Sequence, residues 1–214
     1  MELLIVVTLS YLLGSLSGSI LLGKIKGIDI RKMGSNNAGG TNAFRTMGIN
    51  FAICVLIIDI LKGYIAVKYL PLIVLGENSL TYNQNIEIFS LFSGIAVAIG
   101  HVYPIYFNFQ GGKGAGTLVG VLFALSPISL IICFILWIIT LTLTGYVGLS
   151  TIVASIILPI SEFYIYPGKI DTYFSLFTIL IPIFIIYTHR SNIIRMIKGN
   201  ENRFKKIMIF HKKS

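Results

Sequence analysis

One lysine set among glycines is the strongest chemical signal in the chain. Residues 111–114 read Gly-Gly-Lys-Gly and stand directly between two long apolar segments. A glycine-rich turn can aim backbone N–H groups at an anion, and the start of a following helix adds a positive dipole end. A lysine that only anchors a membrane span would explain the charge but not the glycines. We therefore predict a phosphoryl-binding site formed by Gly111, Gly112, Lys113, Gly114 and Thr117.

A second polar segment covers residues 34–45 and reads Gly-Ser-Asn-Asn-Ala-Gly-Gly-Thr-Asn-Ala-Phe-Arg. Many of these residues tolerate a positive φ, so the segment can curl into a concave anion-binding nest. Thr41 or Asn42 is predicted to cap the helix that carries Arg45, whose guanidinium can contact two oxygens of a phosphate. An ordinary flexible loop is the alternative. The candidate ligands are Ser35, Asn37, Gly39, Gly40, Thr41, Asn42 and Arg45.

A third polar segment begins at His189, at the end of the last apolar run. Spacings of three place His189, Asn192 and Arg195 on one face of a predicted helix, where they could complete the same pocket. The alternative is a basic helix on anionic lipid headgroups, which is our interpretation of the four lysines farther along, Lys205, Lys206, Lys212 and Lys213. His101 is a further candidate ligand, although a histidine near the end of a span is more often a structural hydrogen-bonding group.

The composition places these segments in a membrane protein. Of 214 residues, 55% are apolar and only 12% are charged, about half the charge of a soluble domain. Apolar runs of about 20 residues recur along the chain, and each is long enough to cross a bilayer. We predict one polytopic, all-α membrane domain over residues 1–214, with a basic cytoplasmic tail over about 190–214.

Charge and helix-breaking residues predict the number and direction of the spans. Lysines and arginines in residues 24–45, at Lys113 and in the tail predict cytoplasmic segments, with the N-terminus and the polar loop around 76–87 (Glu77 and Glu87) outside. Pro127 and the break at 142–145 divide the second half of the chain. The predicted spans are about 3–22, 51–70, 88–106, 115–125, 128–142, 148–165 and 172–188. The helix 115–125 would be only about 17 Å long. A count of five spans satisfies the same charge pattern, but seven agrees with every Pro and Gly break.

Two opposite charges lie within the second predicted span. Asp59 and Lys62 stand three residues apart on an otherwise apolar helix. Because ionisable side chains at that depth are costly unless neutralised, we predict an ion pair between them.

Taken in order, these segments resemble the motifs of the bacterial acyl-phosphate:glycerol-3-phosphate acyltransferases. The resemblance runs nearly end to end, over 34–48, 59–63, 100–117, 146–147 and 189–201. It implies a seven-helix fold with the active site at the cytoplasmic leaflet of the bacterial inner (plasma) membrane. It also implies an acyl phosphate donor, glycerol 3-phosphate as acceptor, and neither a metal, a cofactor nor an acyl carrier protein. The chain departs from the family at Gly148, where Ser is usual, and at Asn36 and Gly40, where Gly and Ala are common.

The predicted reaction is transfer of a fatty acyl group to glycerol 3-phosphate, which yields lysophosphatidic acid and phosphate. The predicted catalytic residues are Arg45, Lys113, His189 and Asn192, with Ser35, Arg45 and Lys113 on the acceptor phosphate. The 37–42 loop, with His189 and Asn192, is predicted to hold the acyl phosphate, and the proton is predicted to pass to the donor's phosphate oxygen or to a histidine. No Ser–His–Asp or Cys–His arrangement is evident, so direct attack is favoured over an acyl-enzyme. The expected partners are the two substrates and membrane lipid, without nucleic acid, and the expected state is a monomer.

A small permease for an organic phosphate is the alternative function. A permease would also use glycine-broken helices and cations, but it predicts polar groups near the bilayer midplane and a repeated half.

Overall fold

The computed structural model describes residues 1–76, 80–165 and 172–210. These residues form ten α-helices and three short 3-10 helices without any β-strand, which confirms the predicted all-α class. The α-helices are α1 Glu2–Gly14, α2 Gly18–Ile25, α3 Gly40–Met47, α4 Ile49–Leu75, α5 Leu80–Val102, α6 Ala115–Leu125, α7 Pro127–Thr144, α8 Val147–Ile165, α9 Thr172–Thr188 and α10 Arg190–Ile197. The 3-10 helices are Ile30–Lys32, Ile105–Phe107 and Lys205–Ile207.

The chain divides into two compact units. Unit 1 is Met1–Leu125 and contains α1 to α6, whereas unit 2 is Ser126–Ser214 and contains α7 to α10. Each unit is described by itself below. The single domain over residues 1–214 stays a prediction.

The predicted helix breaks in the second half of the chain are confirmed. Pro127 occupies the first position of α7, where its missing N–H costs no helix hydrogen bond. Gly145 ends α7 in the left-handed region, with a φ of 74°, and α8 follows from Val147. The first predicted span, in contrast, is wrong as a continuous helix, because the chain breaks after Gly14 and resumes at Gly18.

Four helices, α4, α5, α7 and α8, are each long and apolar enough to cross a membrane. Two bent pairs, α1 with α2 at 44° and α9 with α10 at 56°, raise the number to six among the described residues if each pair is one span. Helix α6 has 11 residues, which agrees with the short helix predicted over 115–125. The seven-span count and the orientation stay predictions. Glu77 of the predicted acidic loop lies outside the described residues, and Glu87 belongs to α5.

Small residues allow the helices of unit 1 to approach closely. A β-carbon at Gly14 would overlap the backbone of Val97 on α5, and one at Gly63 would overlap the carbonyl of Thr117 on α6. Gly120 faces the carbonyl of Ile60 in the same way. Such contacts between backbones are typical of helix packing inside membranes. They fix α6 against α4, and thereby fix the position at which α6 begins.

In unit 2, α8 packs between α7 and α9, and the chain after α10 returns to the α7–α8 turn. The Phe204 N–H donates to the Gly145 carbonyl at 2.9 Å, and the Arg203 guanidinium lies 4.4 Å from the centre of the Tyr146 ring. Lys205 and Lys206 are exposed, while Lys212 and Lys213 lie outside the described residues. The interpretation that these lysines contact lipid headgroups stays a prediction.

Candidate active site

The 34–42 loop is held in place at Ala38 by apolar packing and by a hydrogen bond. Ala38 is fully buried against Ile20, Ile30 and Phe107. The hydroxyl of Ser19, on α2, donates to the Ala38 carbonyl at 2.6 Å. The middle of the loop is therefore fixed to α2.

Asn42 shapes the loop and does not cap a helix. Its side-chain Nδ2 donates to the carbonyls of Ile30, Met33 and Asn37 at 3.1, 2.9 and 2.9 Å, and its Oδ1 accepts from the Ser35 N–H at 2.8 Å. The predicted cap at Thr41 or Asn42 is wrong, since α3 begins at Gly40 after Gly39 without a side-chain cap. Asn42 lies in the first turn, where its buried amide satisfies upstream backbone groups instead.

Two residues of the loop adopt the left-handed backbone conformation that the composition predicts. Gly34 has a φ of 59° and Asn36 a φ of 56°. A β-carbon at Gly34 would also overlap the Oδ1 of Asn42, so this position requires glycine on two grounds.

The 111–114 loop folds back onto the end of α5. The N–H groups of Gly111 and Gly112 donate to the carbonyls of Val102 and His101, both at 3.1 Å. The His101 ring is 2% exposed and lies directly behind Gly112, where a β-carbon would overlap its Nε2. Gly114, with a φ of 86°, then turns the chain into α6. Lys113 is half-buried in this turn, and Thr117 is fully buried.

The first two motifs meet at one side chain of α4. A β-carbon at Gly40 and one at Gly116 would each lie 3.6 Å from the same atom, Leu56 Cδ1. Helices α3 and α6 therefore begin beside each other, and each presents the positive end of its dipole. Arg45 lies in the last turn of the eight-residue α3, and Lys113 lies two residues before the start of α6. The structure thus brings together the two segments that the sequence predicted to bind phosphate.

Arg31 fastens the chain before the 34–42 loop to the chain before the 111–114 loop. Its guanidinium donates twice to Asp29, at 2.9 Å each, and once to the Phe107 carbonyl at 3.0 Å. The hydrogen bond from Arg31 holds the pKa of the Asp29 carboxyl below its usual value. Because both side chains are partly exposed, the ion pair serves mainly to orient the guanidinium.

The third motif lies in unit 2 and is organised by Glu201. This carboxylate is 7% exposed; it accepts from the Asn192 Nδ2 at 3.0 Å and from the Arg195 Nε at 2.6 Å. Asn192 and Arg195 therefore share one face of α10, as their spacing predicts. We did not predict a role for Glu201 from the sequence. Its isolation among basic residues could have indicated such a role, because Glu201 is the only carboxylate side chain in the sequence between residues 190 and 214.

His189 precedes α10, and its contacts determine its tautomer. Its ring Nδ1 lies 2.9 Å from the Ile185 carbonyl. Since a carbonyl can only accept, Nδ1 carries the hydrogen, and in the neutral ring Nε2 holds the lone pair. The residue is 5% exposed, and its part in proton transfer stays a prediction.

Gly148 lies against Asn192. A β-carbon at position 148 would be 3.0 Å from the Asn192 side chain, so a larger residue would displace that amide. The nearby hydroxyl of Ser150 is already engaged, because its Oγ is buried and donates to the Tyr146 carbonyl at 2.8 Å.

The remaining predicted ligands are placed without a contact that tests their roles. Ser35, Asn37, Gly39 and Thr41 are all partly exposed within or beside the 34–42 loop. Among the described residues, no group of three or more His, Cys, Asp or Glu side chains is arranged to hold a metal ion. Substrate contacts and the absence of a cofactor both stay predictions.

Comparison with known proteins identifies the family. Residues 4–199 match the family model described as glycerol-3-phosphate acyltransferase. The chain is 34% identical over 200 residues to the glycerol-3-phosphate acyltransferase of Fusobacterium nucleatum, covering 93% of this chain and 96% of the relative. It is 37% identical over 206 residues to the glycerol-3-phosphate acyltransferase of Bacillus subtilis, and the match covers 96% of this chain and 99% of the relative. A crystal structure of PlsY, an integral membrane glycerol 3-phosphate acyltransferase in its glycerol 3-phosphate form, superposes with a TM-score of 0.82 at 34% identity, covering 95% of this chain and 96% of the other. The chain belongs to the glycerol-3-phosphate acyltransferase family.

Proposed function

We propose that this protein transfers a fatty acyl group from an acyl phosphate to glycerol 3-phosphate, forming lysophosphatidic acid and inorganic phosphate. The observation that carries the proposal is the meeting of two glycine-rich helix starts at Leu56, each accompanied by a cation, Arg45 or Lys113. Solved structures of a family member in a glycerol 3-phosphate form and a lysophosphatidic acid form support the choice of acceptor and product.

The acceptor site is proposed to use Arg45, Lys113 and Ser35. Glycerol 3-phosphate is a dianion near neutral pH, and two cations together with the N-terminal ends of two helices offset its charge. Because Asn42 accepts the Ser35 N–H, the Ser35 hydroxyl is the group of that residue proposed to contact phosphate.

The transfer step is proposed to be direct. A hydroxyl oxygen of glycerol 3-phosphate attacks the carbonyl carbon of the acyl phosphate and forms the new ester bond. The bond from that carbon to the phosphate oxygen breaks, and phosphate leaves with the electron pair. The hydroxyl proton passes to a phosphate oxygen or to Nε2 of His189. With so good a leaving group, holding two anions in contact and stabilising developing charge supplies most of the catalysis.

The third motif is proposed to act on the donor. The Asn192 and Arg195 side chains are held by Glu201, and the His189 ring by the Ile185 carbonyl. Preorganised donors of this kind suit an acyl phosphate. That His189 and Asn192 bind the donor together with residues 37–42 stays a prediction from the sequence.

We further propose that the protein is a monomer in the bacterial inner membrane with its active site on the cytoplasmic side. The support for this orientation is the concentration of Lys and Arg in residues 24–45 and after residue 190.

The decisive experiment is to mix purified protein with synthetic acyl phosphate and radiolabelled glycerol 3-phosphate and to extract the lipids. Labelled lysophosphatidic acid is the expected product. Its absence, with transport of glycerol 3-phosphate into proteoliposomes, would favour the permease instead. With labelled acyl phosphate, acyl groups retained covalently on the denatured protein would refute direct transfer.

A further inference from the structure

The bend between α1 and α2 encloses two opposite charges from α4. Asp59 and Lys62 are each 3% exposed, and the Lys62 Nζ lies 3.1 Å from the Asp59 Oδ1. This confirms the ion pair that the sequence predicted. The pair also has contacts that the sequence did not predict, and these link it to both phosphate-binding loops of unit 1.

Each charge faces a helix end of opposite polarity. The Lys62 ammonium donates to the carbonyls of Gly14 and Leu16, at 2.8 and 3.0 Å, where α1 ends. The Asp59 Oδ1 accepts from the Gly18 N–H at 3.4 Å, where α2 begins. The C-terminal end of a helix is negative and the N-terminal end positive. A buried ion pair is tolerated where further hydrogen bonds satisfy both partners, and here those bonds come from the broken helix.

The pair is connected to the 34–42 loop through α2. Gly18, which donates to Asp59, is followed by Ser19, whose hydroxyl donates to the Ala38 carbonyl at 2.6 Å. Only one residue step therefore separates the contact with Asp59 from the contact with the loop. A shift of the α2 start would carry Ala38 with it.

The pair is connected to the 111–114 loop through His101 and α6. The His101 Nδ1 lies 3.5 Å from the Asp59 Oδ1, and the ring fills the space behind Gly112. The Asp59 Cβ also lies 3.4 Å from where a β-carbon of Gly116 would be. Asp59 thus touches both the support of this loop and the first turn of the helix that follows it.

We propose that Asp59 and Lys62, together with His101, are positioning residues that hold the 34–42 and 111–114 loops in one phosphate-binding arrangement. This inference rests on the proposed function for its kinetic readout. None of the three side chains need touch the substrate. Their effect is to fix the separation between the two helix starts, so losing them should weaken phosphate binding even in a stably folded protein.

The test replaces both charges at once with apolar side chains of similar size, as Asp59→Val with Lys62→Met. Replacing a buried ion pair by apolar groups is often neutral for stability, whereas removing one partner is not. We expect the double variant to have a lower thermal midpoint, because the Gly14 and Leu16 carbonyls and the Gly18 N–H lose their partners. Assayed well below that midpoint, as folded protein, it should show a KM for glycerol 3-phosphate at least about tenfold higher. Displacing reacting groups by about 1 Å costs on the order of 100-fold in rate, so kcat/KM should fall by up to that factor.

Ser93→Ala is the matched control. It removes a buried hydroxyl of the same unit that contacts Ser10 at 2.7 Å and the Ala66 carbonyl at 2.6 Å, away from both loops. We expect a lower thermal midpoint with unchanged KM. If the double variant instead keeps the KM and kcat of the unmodified protein, or loses activity only in proportion to lost folded protein, the positioning role is refuted.

A second variant decides the question if the double variant does not fold. His101→Asn leaves the ion pair and the bend in place but removes the ring behind Gly112, and it should raise the same KM. An unchanged KM in this variant would overturn the inference. If the unmodified protein makes no lysophosphatidic acid, the proposed function fails separately. In that case the inference is tested by the rise in thermal midpoint when glycerol 3-phosphate is added. The unmodified protein must show this rise and the variant must show a smaller one. Any other result overturns the inference.

Discussion

Adding one methyl group at Gly112 should disable the 111–114 loop. The new β-carbon would overlap the Nε2 of His101 and lie 3.0 and 3.1 Å from its Cε1 and Cδ2. His101 is 2% exposed and its Nδ1 lies 3.5 Å from the Asp59 Oδ1, so a shift of the ring away from Gly112 would press it against that buried carboxylate. The loop must therefore move instead, and it carries Lys113.

The magnitude follows from these contacts. Overpacking a buried site by one methyl costs about 1–3 kcal/mol, which a protein of this size can survive. A loop displacement of about 1 Å at the phosphate, in contrast, costs on the order of 100-fold in rate. We therefore expect Gly112→Ala to remain folded and to lose about two orders of magnitude in kcat/KM.

The assay is lysophosphatidic acid formation from acyl phosphate and glycerol 3-phosphate, with the thermal midpoint measured on the same preparation. Gly116→Ala is the matched control in the same segment, because its β-carbon would meet Asp59 and Leu56 only at 3.4 and 3.6 Å. Within a helix this change should stabilise by about 0.5–1 kcal/mol. If Gly112→Ala keeps half of the unmodified turnover, or both variants lose activity equally, the steric reasoning is wrong.

Three further predictions concern the two cations and the third motif. Lys113→Ala and Arg45→Ala should each remove most turnover without unfolding the protein, since each strips one charge from a dianion site; at least half of the normal rate at saturating glycerol 3-phosphate would contradict this. Glu201→Gln should weaken two hydrogen bonds to a buried carboxylate, costing about 1.5–3 kcal/mol in the unfolding free energy measured by denaturant titration; an unchanged unfolding curve would contradict that contact. Gly148→Ala should press on Asn192 at 3.0 Å and lower kcat about fivefold by steady-state kinetics, and an unaffected kcat would show that Asn192 adjusts freely.

The helices and their breaks could be predicted because their causes are local. Proline is favoured at the first position of a helix and glycine at its left-handed C-terminal end, and the structure begins α7 at Pro127 and ends it before Gly145. The broken first span was missed because its cause is distant. The bend at Gly14–Gly18 is satisfied by side chains of α4, more than 40 residues away in the chain.

The segments proposed to bind phosphate could be recognised by residue type, but the contacts that each of their residues makes could not. Glycine, lysine and arginine near a helix start indicate an anion-binding site, because backbone dipoles and charges act over short distances. Asn42 had the same appearance as the other polar residues of its loop, yet its amide contacts four backbone groups. Glu201 appeared to be an isolated acid in a basic tail until the turn after α10 brought it to Asn192 and Arg195.

The sequence by itself therefore determined the all-α class, the membrane composition and the residue types available to bind phosphate, since hydropathy, helix breaking and charge are properties of single residues and short runs. Only the tertiary structure decided which partners those residues have. It brought the starts of α3 and α6 to the same Leu56 methyl group, and it set the Asp59–Lys62 pair against the ends of a broken helix. The physical reason is that such contacts depend on the close packing of helices far apart in the chain, where each backbone group must find a partner in the absence of water.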